Sequence, residues 1–218
     1  MQSIALLDVG LGNLRSVEKA LERAASDAGV AARVVVTSDG DAILRADRVV
    51  FPGQGAFGDC ARALAGGLGD AVRGAIARGT PYLGICLGLQ ALFASSEEAP
   101  GAAGLGLFAG TNARLADGAK EPLTGAPVKI PHMGWNTLAL RHGGHAHLAA
   151  AGGEGAHVYF VHSYHAVPAD PSLVVATTTH GPYEITAAIA RDNVFATQFH
   201  PEKSQAAGLA LLASFVRA

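Results

Sequence analysis

Apolar residues in the first half of the chain fall in short runs, which longer amphipathic segments separate. After the first run, Asn13 can cap a helix and Gly29 can end it. The apolar positions of that helix have helical spacing and lie on one face at Leu14, Val17 and Leu21. The pattern predicts strands at residues 4–7, 33–36, 49–51 (ended by Pro52) and 82–85, with further helices at 59–78 and 87–93.

The second half has a different pattern, in which apolar runs follow one another with only short polar turns between them. The alternation in the first half predicts an α/β fold with a doubly wound, largely parallel sheet and flanking helices. The second half predicts an antiparallel extension, and we expect residues 1–218 to form a single domain. The predicted elements of the second half begin with a loop at 99–110. They continue with strands near residue 128 and at 135–140, 157–161, 173–179, 185–190 and 194–199. They end with a closing helix that has Leu209, Leu212, Phe215 and Val216 on one face.

Composition narrows the possible partners and surroundings. Half of the 218 residues are hydrophobic, which is typical of a globular chain that can bury a core. The net charge is −2 and no basic patch recurs, so we expect no nucleic acid partner. No stretch approaches the roughly 20 apolar residues that cross a bilayer, and the start lacks the pattern of a signal peptide. With only Cys60 and Cys86, a reducing, cytoplasmic compartment is expected.

A glycine-rich segment, VVFPGQGAFGDC, follows the third predicted strand and contains G-x-G-x-x-G at residues 53–58. This spacing is typical of dinucleotide-binding turns, so a nucleotide cofactor is one interpretation. Three features weigh against it. Pro52 occupies the turn, Gly58-Asp59 opens no clean helix, and the segment after the first strand, residues 8–12, lacks the third glycine.

The segment GICLG at residues 84–88 is a G-x-C-x-G sequence between a predicted strand and a predicted helix. This is the thiol form of a nucleophile elbow, in which flanking glycines leave room for a sharp turn. The turn places Cys86 at a helix N-terminus, where the helix dipole favours a thiolate. A lone cysteine is more often a small buried hydrophobe, and Cys60, which lacks such surroundings, is expected to be structural.

A thiol nucleophile needs a base, and His200-Pro201-Glu202 follows the last predicted strand. In an extended segment, residues two apart point the same way, so His200 can face Cys86 while Glu202 orients the imidazole. The alternative is a surface histidine beside a solvated carboxylate. An oxyanion also needs donors, which the N–H of Leu87 and the glycine-flanked peptide at Gln54 can supply.

The motifs GICLGLQ, PGQGAF and QFHPEKS together resemble those of the triad-type (class I) glutamine amidotransferases. DVGLGNLRSVEKAL and PHMGWN further resemble the glutaminase subunits of imidazole glycerol phosphate synthases, and the resemblance covers the whole chain. It implies the flavodoxin-like amidotransferase fold, no cofactor, and hydrolysis of glutamine through a glutamyl thioester. The implied site residues are the nucleophile Cys86, the base His200, its orienter Glu202, oxyanion donors at Gln54 and Leu87, and glutamine-binding residues Gly53, Gly55, Gln90, Glu98, Ser163 and Tyr164.

The resemblance also implies a partner, a cyclase (β/α)8-barrel subunit that forms a heterodimer with this chain and receives its ammonia through a channel. The implied interface residues are Asn13, Arg15, Met133, Trp135 and Asn136, although a sole Trp can equally belong to the core. The two glycines beside Gln54 permit its peptide to flip, so we hypothesise that the oxyanion hole is completed only when the partner is loaded.

Three other functions stay open. The chain could be a glutaminase for anthranilate, folate or nucleotide synthesis, a γ-glutamyl hydrolase or peptidase with the same triad, or a non-enzymatic interaction module.

The histidines of RHGGHAH, residues 141–147, also invite a metal-site interpretation. No cysteine joins them and the glycines suggest a flexible loop, so no metal is expected. We expect His132, His162 and His165 to be hydrogen-bonded structural residues.

Overall fold

The computed structural model describes all residues, 1–218. Its helices are α1 (Leu14–Asp27), α2 (Gly40–Arg45), α3 (Phe57–Leu64), α4 (Leu68–Ala77), α5 (Leu87–Gln90), α6 (Ala146–Ala150) and α7 (Gln205–Arg217), with 3₁₀ turns at Pro171–Leu173 and Pro201–Lys203. Its strands are β1 (Gln2–Leu7), β2 (Ala32–Thr37), β3 (Arg48–Gly53), β4 (Tyr82–Cys86), β5 (Phe93–Ser96), β6 (Phe108–Arg114), β7 (His132–Thr137), β8 (Ala139–Leu140), β9 (His157–His162), β10 (Tyr164–Pro168), β11 (Val174–His180), β12 (Tyr183–Arg191) and β13 (Val194–Thr197).

The largest sheet has eight strands in the order β2-β1-β3-β4-β13-β12-β11-β8. The first five run parallel, and β12, β11 and β8 extend the sheet in antiparallel fashion. The predicted parallel sheet with an antiparallel extension is therefore confirmed. Two smaller sheets, β10-β6-β5 and β7-β9, stand beside it. Because β3, β4 and β13 are neighbours, the residues that follow them meet at one edge.

The hydrophobic core lies on both faces of the large sheet. Ile4 and Leu6 of β1 belong to a buried cluster with α1 and α7, whereas Ala5 and Leu7 belong to another with α3, α4 and α5. This alternation follows from the period of two along a strand. Helix α1 begins as predicted, with the Asn13 side chain accepting a hydrogen bond from the backbone N–H of Ser16. No helix combines the length and the apolar character that a membrane span requires.

The predicted helix at residues 59–78 is wrong in its continuity, since α3 and α4 are separate. Gly67 has φ +93 at the break, a conformation that glycine adopts readily. The helix predicted at 87–93 begins at Leu87 as expected but is too long, because α5 ends at Gln90. Beyond Gln90, the Leu92 N–H bonds the Leu89 oxygen in an i→i−3 turn, and β5 begins at Phe93.

Pro52 does not end β3, as the sequence predicted, but lies within it. Strand β1 pairs with β3 only as far as Val50, so Pro52 stands where that side of the strand has no ladder partner. The last predicted strand is shorter than expected, since β13 ends at Thr197. No strand forms near Val128, where the only pairing is an isolated bridge between Lys120 and Pro127.

The closing helix α7 is confirmed, with one error in its buried face. Leu209 is only partly buried, and Leu211 is buried in its place. Five elements escaped the sequence analysis because they are short and weakly periodic: α2, α6, β5, β6 and β10. Of these, β6 begins at the end of the predicted 99–110 loop.

Candidate active site

Cys86 is the last residue of β4, and α5 begins directly after it. Its φ of 53° lies in the left-handed region, which is a strained conformation for a residue with a side chain. The glycines on either side are sterically required. A Cβ on Gly84 would lie 2.6 Å from the Gly88 oxygen, and a Cβ on Gly88 only 1.8 Å from the Phe51 oxygen. The predicted sharp turn at residues 84–88 is therefore present.

His200 and Glu202 lie beside this turn, because β13 is the neighbour of β4. His200 Nδ1 is 2.8 Å from Glu202 Oε1, and the two side chains are 1% and 3% exposed. Their pairing does not arise from extended backbone, as the sequence analysis assumed. Pro201–Lys203 form a 3₁₀ turn that folds Glu202 back toward the imidazole.

The charge of His200 is set by opposing effects. Burial lowers its pKa, but the nearby Cys86 sulfur and the Glu202 carboxylate outweigh burial and raise the pKa to about 9. His200 Nε2 is buried and has no hydrogen-bond partner. The Cys86 sulfur therefore raises the pKa of His200 without a hydrogen bond of ordinary geometry to Nε2. Near neutral pH, His200 is therefore an imidazolium beside the sulfur.

A cavity of about 360 Å³ opens over Cys86. Its size suits a small polar molecule. Four lining residues were not predicted to be part of the site: Pro131, Val161, His162 and Lys203. Seven predicted residues besides Cys86 line the cavity, namely Gln54, Gly55, Leu87, Gln90, Glu98, Ser163 and Tyr164.

Gly53 does not line the cavity but brings the glycine-rich segment against the elbow. It pairs with Cys86 across β3 and β4, and a Cβ on it would lie 2.7 Å from the Leu87 Cβ. The loop after β1 covers the other side of this segment, where a Cβ on Gly12 would lie 3.0 Å from the Gln54 nitrogen. The Gly53–Gln54 peptide is thus held between the elbow and the loop that precedes α1.

Gln90 and Glu98 have part of their hydrogen-bonding capacity in use. Gln90 Nε2 donates to the Tyr164 carbonyl oxygen at 2.9 Å and to Gln198 Oε1 at 3.2 Å, which leaves the Gln90 amide oxygen without a protein partner. Glu98 Oε2 accepts the Phe57 N–H at 2.7 Å, at the start of α3. Each of these two side chains therefore retains an acceptor for a molecule in the cavity.

The sequence profile of the glutamine amidotransferase class-I family matches residues 8–218. The chain belongs to this family. An imidazole glycerol phosphate synthase subunit HisH from Rhodospirillum rubrum is 51% identical over 217 residues, covering 98% of both chains. A protein of the same name from Methylococcus capsulatus is 52% identical and covers 100% of this chain and 97% of its own. A solved glutamine amidotransferase structure superposes with a TM-score of 0.69 at 18% identity over 99% of both chains, which shows the shared fold.

Four of the five residues predicted to meet a partner are exposed. Met133 and Trp135 of β7 are 61% and 48% exposed, so Trp135 is not a core residue. Trp135 packs edge-on against Tyr159 with ring centroids 6.0 Å apart. Asn13 and Arg15 are exposed at the start of α1. Because these four side chains are exposed, they can contact a partner without rearrangement of the core.

Asn136 and Gln198 contribute polar contacts inside the amidotransferase. Asn136 is only partly exposed, and its amide nitrogen is 3.1 Å from His132 Nε2 and 2.8 Å from the Thr179 oxygen. The sequence analysis missed Gln198, whose amide nitrogen lies 3.3 Å from Cys86 Sγ. Its place in QFHPE, two residues before His200, was the available signal. These amides connect the surface strand and the sulfur to buried polar groups.

The histidines outside the triad have structural contacts. No group of three or more His, Cys, Asp or Glu side chains has an arrangement that could hold a metal ion. Only the end of the RHGGHAH segment is helical, where His145 caps α6 by accepting the His147 N–H, and His147 bonds Ser214. His132 and His162 are hydrogen-bonded to each other, as predicted. His165 differs, because its Nδ1 is buried without a partner.

Cys60 is the second free cysteine, and it does not line the cavity over Cys86. It is 1% exposed within the core cluster of α3 and α4. Burial raises its pKa to about 12, so it stays protonated at neutral pH. The expectation that Cys60 is structural is therefore consistent with its surroundings.

Proposed function

We propose that this chain is the glutaminase subunit of an imidazole glycerol phosphate synthase. It hydrolyses glutamine to glutamate and ammonia, and the ammonia serves a cyclase subunit that makes imidazole glycerol phosphate and AICAR in histidine biosynthesis. The observation that carries the proposal is the strained Cys86, which lines the cavity and has the buried His200–Glu202 pair beside its sulfur. The HisH relatives, at 51% and 52% identity over nearly the whole chain, support the choice among amidotransferases.

In the proposed reaction, the Cys86 thiolate attacks the side-chain carbonyl carbon of glutamine and forms a tetrahedral oxyanion. The His200 imidazolium gives its proton to the leaving nitrogen, so that ammonia departs and a glutamyl thioester remains. A water molecule then attacks the thioester, His200 takes its proton, and glutamate leaves as the thiolate re-forms. Glu202 holds the imidazole by its Nδ1–H throughout, at the 2.8 Å distance of the resting structure.

The walls of the cavity suggest how the amino-acid end of glutamine is held. The Gln90 amide oxygen and the free oxygen of Glu98 are acceptors, which suit the ammonium group of the substrate. Lys203 is the cation in the cavity lining and suits the carboxylate end. Ser163 and Tyr164 also line the cavity. This assignment leaves the side-chain amide of the substrate directed toward Cys86.

The proposed oxyanion donors are the N–H groups of Leu87 and Gln54. Leu87 is the first residue of α5, and the first N–H groups of a helix have no partner within it. The Gln54 peptide stands between Gly53 and Gly55, and Gly55 has φ +145, where a side chain would be strained. We infer that the partner acts on this peptide, since the loop that covers Gln54 leads directly into the exposed Asn13 and Arg15.

The proposed partner is a cyclase subunit with a (β/α)8 barrel, bound as a heterodimer that passes ammonia through a channel. The exposed Met133 and Trp135 are the proposed anchors, with Asn13, Arg15 and Asn136 at or near the contact. We also propose that residues 1–218 act as one domain, because α1 and α7 share a single core cluster. A cytoplasmic location remains a proposal, supported by the two free cysteines.

Glutamate release from glutamine tests the proposal. We would measure it for the chain alone and for the chain mixed with a cyclase subunit and its nucleotide ligand, with Cys86→Ala as control. The expected result is a low rate that rises with the loaded cyclase and disappears in Cys86→Ala. A high rate that the cyclase does not change would favour a free-standing γ-glutamyl hydrolase. No glutamate in any mixture would refute the glutaminase assignment and favour an interaction module.

A further inference from the structure

The Cys86 sulfur has a hydrogen-bond donor that the triad does not include. Gln198 Nε2 lies 3.3 Å from Cys86 Sγ, and the Gln198 side chain is fully buried. Its amide oxygen accepts from Gln90 Nε2 at 3.2 Å. The nucleophile is therefore connected through one buried amide to a wall of the substrate cavity.

The backbone carbonyl of Tyr164 fixes the orientation of both amides. Its oxygen accepts from Gln90 Nε2 at 2.9 Å, and a carbonyl can only accept, so Gln90 must present its nitrogen there. The second hydrogen on that nitrogen goes to the Gln198 oxygen. The Gln198 nitrogen is thereby left facing Cys86. The donor at the sulfur is thus determined by the backbone carbonyl of Tyr164, which can only accept a hydrogen bond.

The same carbonyl also accepts a hydrogen bond from His162, which is in turn bonded to His132. His162 Nδ1 is 3.0 Å from the Tyr164 oxygen, so Nδ1 carries the hydrogen and neutral His162 has an acceptor at Nε2. That Nε2 is 3.0 Å from His132 Nδ1, which must then be the donor. His132 Nε2 in turn accepts from Asn136 Nδ2 at 3.1 Å. Both tautomers are thus determined by their neighbours.

Burial keeps the two histidines neutral, as this arrangement requires. It lowers the pKa of His132 to about 4, with a smaller contribution from His180, and it lowers the pKa of His162 well below the ordinary value. A protonated His162 would direct a second N–H at the His132 donor, and that bond would be lost. In the neutral state, every link from Asn136 to the Tyr164 oxygen donates in the same direction.

The outer end of this hydrogen-bond chain reaches the surface. Asn136 stands on β7, the strand that also carries the exposed Met133 and Trp135, and its nitrogen is additionally bonded to the Thr179 oxygen. The chain therefore runs from a surface strand through buried polar groups to the sulfur. Buried polar networks that are fully satisfied are rigid, so they can hold an atom in place.

We propose that Gln198 holds the Cys86 sulfur for attack and that His132 and His162 are positioning residues that hold Gln198 through the Tyr164 carbonyl. This inference rests on the proposed glutaminase function. The Gln198 amide stabilises the negative charge of the thiolate by direct donation. His132 and His162 do not contact the sulfur. Their effect on its position depends on the hydrogen bonds that connect them to Gln198 through the Tyr164 carbonyl.

Gln198→Met tests the inner end of the chain, because methionine has similar length but no donor. We expect kcat for glutamine to fall about tenfold or more, as for a lost hydrogen bond to a charged group, while KM changes less. Alkylation of Cys86 by iodoacetamide, followed by peptide mapping, should slow by a similar factor. This readout needs no glutaminase activity. Gln205→Met, at an exposed position, is the control and should match the wild type in both assays.

The results separate the two proposals. If the wild type hydrolyses no glutamine under any condition, the proposed function fails, while slower alkylation of Gln198→Met would still support the contact with the sulfur. If the wild type is active and Gln198→Met keeps its kcat and its alkylation rate, the role of Gln198 is refuted. Circular dichroism and thermal unfolding of each variant show whether a loss of rate reflects a loss of fold.

A matched pair at His132 tests the outer links. His132→Asn keeps a donor at the position of Nδ1, whereas His132→Phe keeps the ring that stacks on Phe160 and His180, with centroids 4.7 and 4.2 Å away. If the hydrogen bond to His162 matters, the Asn variant retains more kcat and faster alkylation than the Phe variant. If the Phe variant equals or exceeds the Asn variant, packing alone matters and the role of the histidines is refuted.

Discussion

His200 Nδ1 lies 2.8 Å from Glu202 Oε1, and both side chains are almost wholly excluded from solvent. A buried imidazole alone would lose its proton easily, but this one has a carboxylate on one side and the Cys86 sulfur on the other. The pair therefore keeps a proton beside Cys86, where the proposed reaction needs one for the departure of ammonia.

The raised pKa of His200, about 9, predicts a basic limb in the activity profile. We expect kcat/KM for glutamine to fall as pH rises through about 9, because the proton donor is then lost. The sign for stability is the same. A folded-state pKa above the ordinary 6.5 adds stability that is complete below pH 6.5 and is lost as pH rises through about 9.

NMR titration of the His200 ring measures this directly. In Cys86→Ala, the sulfur no longer raises the pKa while burial still lowers it, so the His200 pKa should fall clearly below 9. An unchanged pKa in that variant would show that the sulfur has no influence on the imidazole.

Gly88→Ala is expected to destabilise the fold, since its Cβ would lie 1.8 Å from the Phe51 oxygen, a backbone atom of the neighbouring strand. Overpacking of this kind costs about 1–3 kcal/mol. Gly66→Ala is the matched control, because nothing lies within 4 Å of its Cβ, and it should change stability by less than about 0.5 kcal/mol. Urea unfolding compares the two, and equal midpoints would contradict the close approach of α5 to β3.

Gly55→Ala tests the proposed switch in the oxyanion hole. Gly55 has φ +145, and a Cβ there would lie 3.2 Å from Leu11 Cδ2, so alanine should restrict the Gln54 peptide. We expect both the basal rate and the rate with the loaded cyclase to change, by different factors. Two unchanged rates would count against a movable peptide at this position.

Trp135→Ala should weaken the binding of the cyclase subunit, because a half-exposed aromatic beside Met133 is a typical interface anchor. The expected loss is about 2 kcal/mol, or roughly 30-fold in Kd, by calorimetric titration. Leu123→Ala is the control, since Leu123 is 99% exposed and lies outside the predicted contact. Equal affinities of both variants would remove Trp135 from the interface.

The sequence predicted the parts of the molecule that depend on residues close together along the chain. The strands of the parallel sheet, the cap at Asn13 and the elbow at Cys86 are all encoded within a few positions. Glycines were informative because they mark positions that have no room for a Cβ. A Cβ on Gly88, for example, would clash with the Phe51 oxygen. Of the predicted residues outside the triad, most do line the cavity.

The sequence could not predict features that arise between distant residues. At the end of α5, the Gln90 carbonyl accepts a hydrogen bond from Asn112, which is 22 positions away. Glu202 approaches His200 through a 3₁₀ turn that no periodicity announces. Gln198 reaches the sulfur across 112 positions, and its place two residues before His200 does not by itself reveal that contact.

The most direct test of the central claim is to look for the glutamyl thioester itself. The chain with its loaded cyclase would be mixed with glutamine, quenched in acid and examined by peptide mass spectrometry. We predict a glutamyl group on Cys86, none on Cys60, and none anywhere in Cys86→Ala. Glutamate release without any adduct on Cys86, or release that persists in Cys86→Ala, would contradict it.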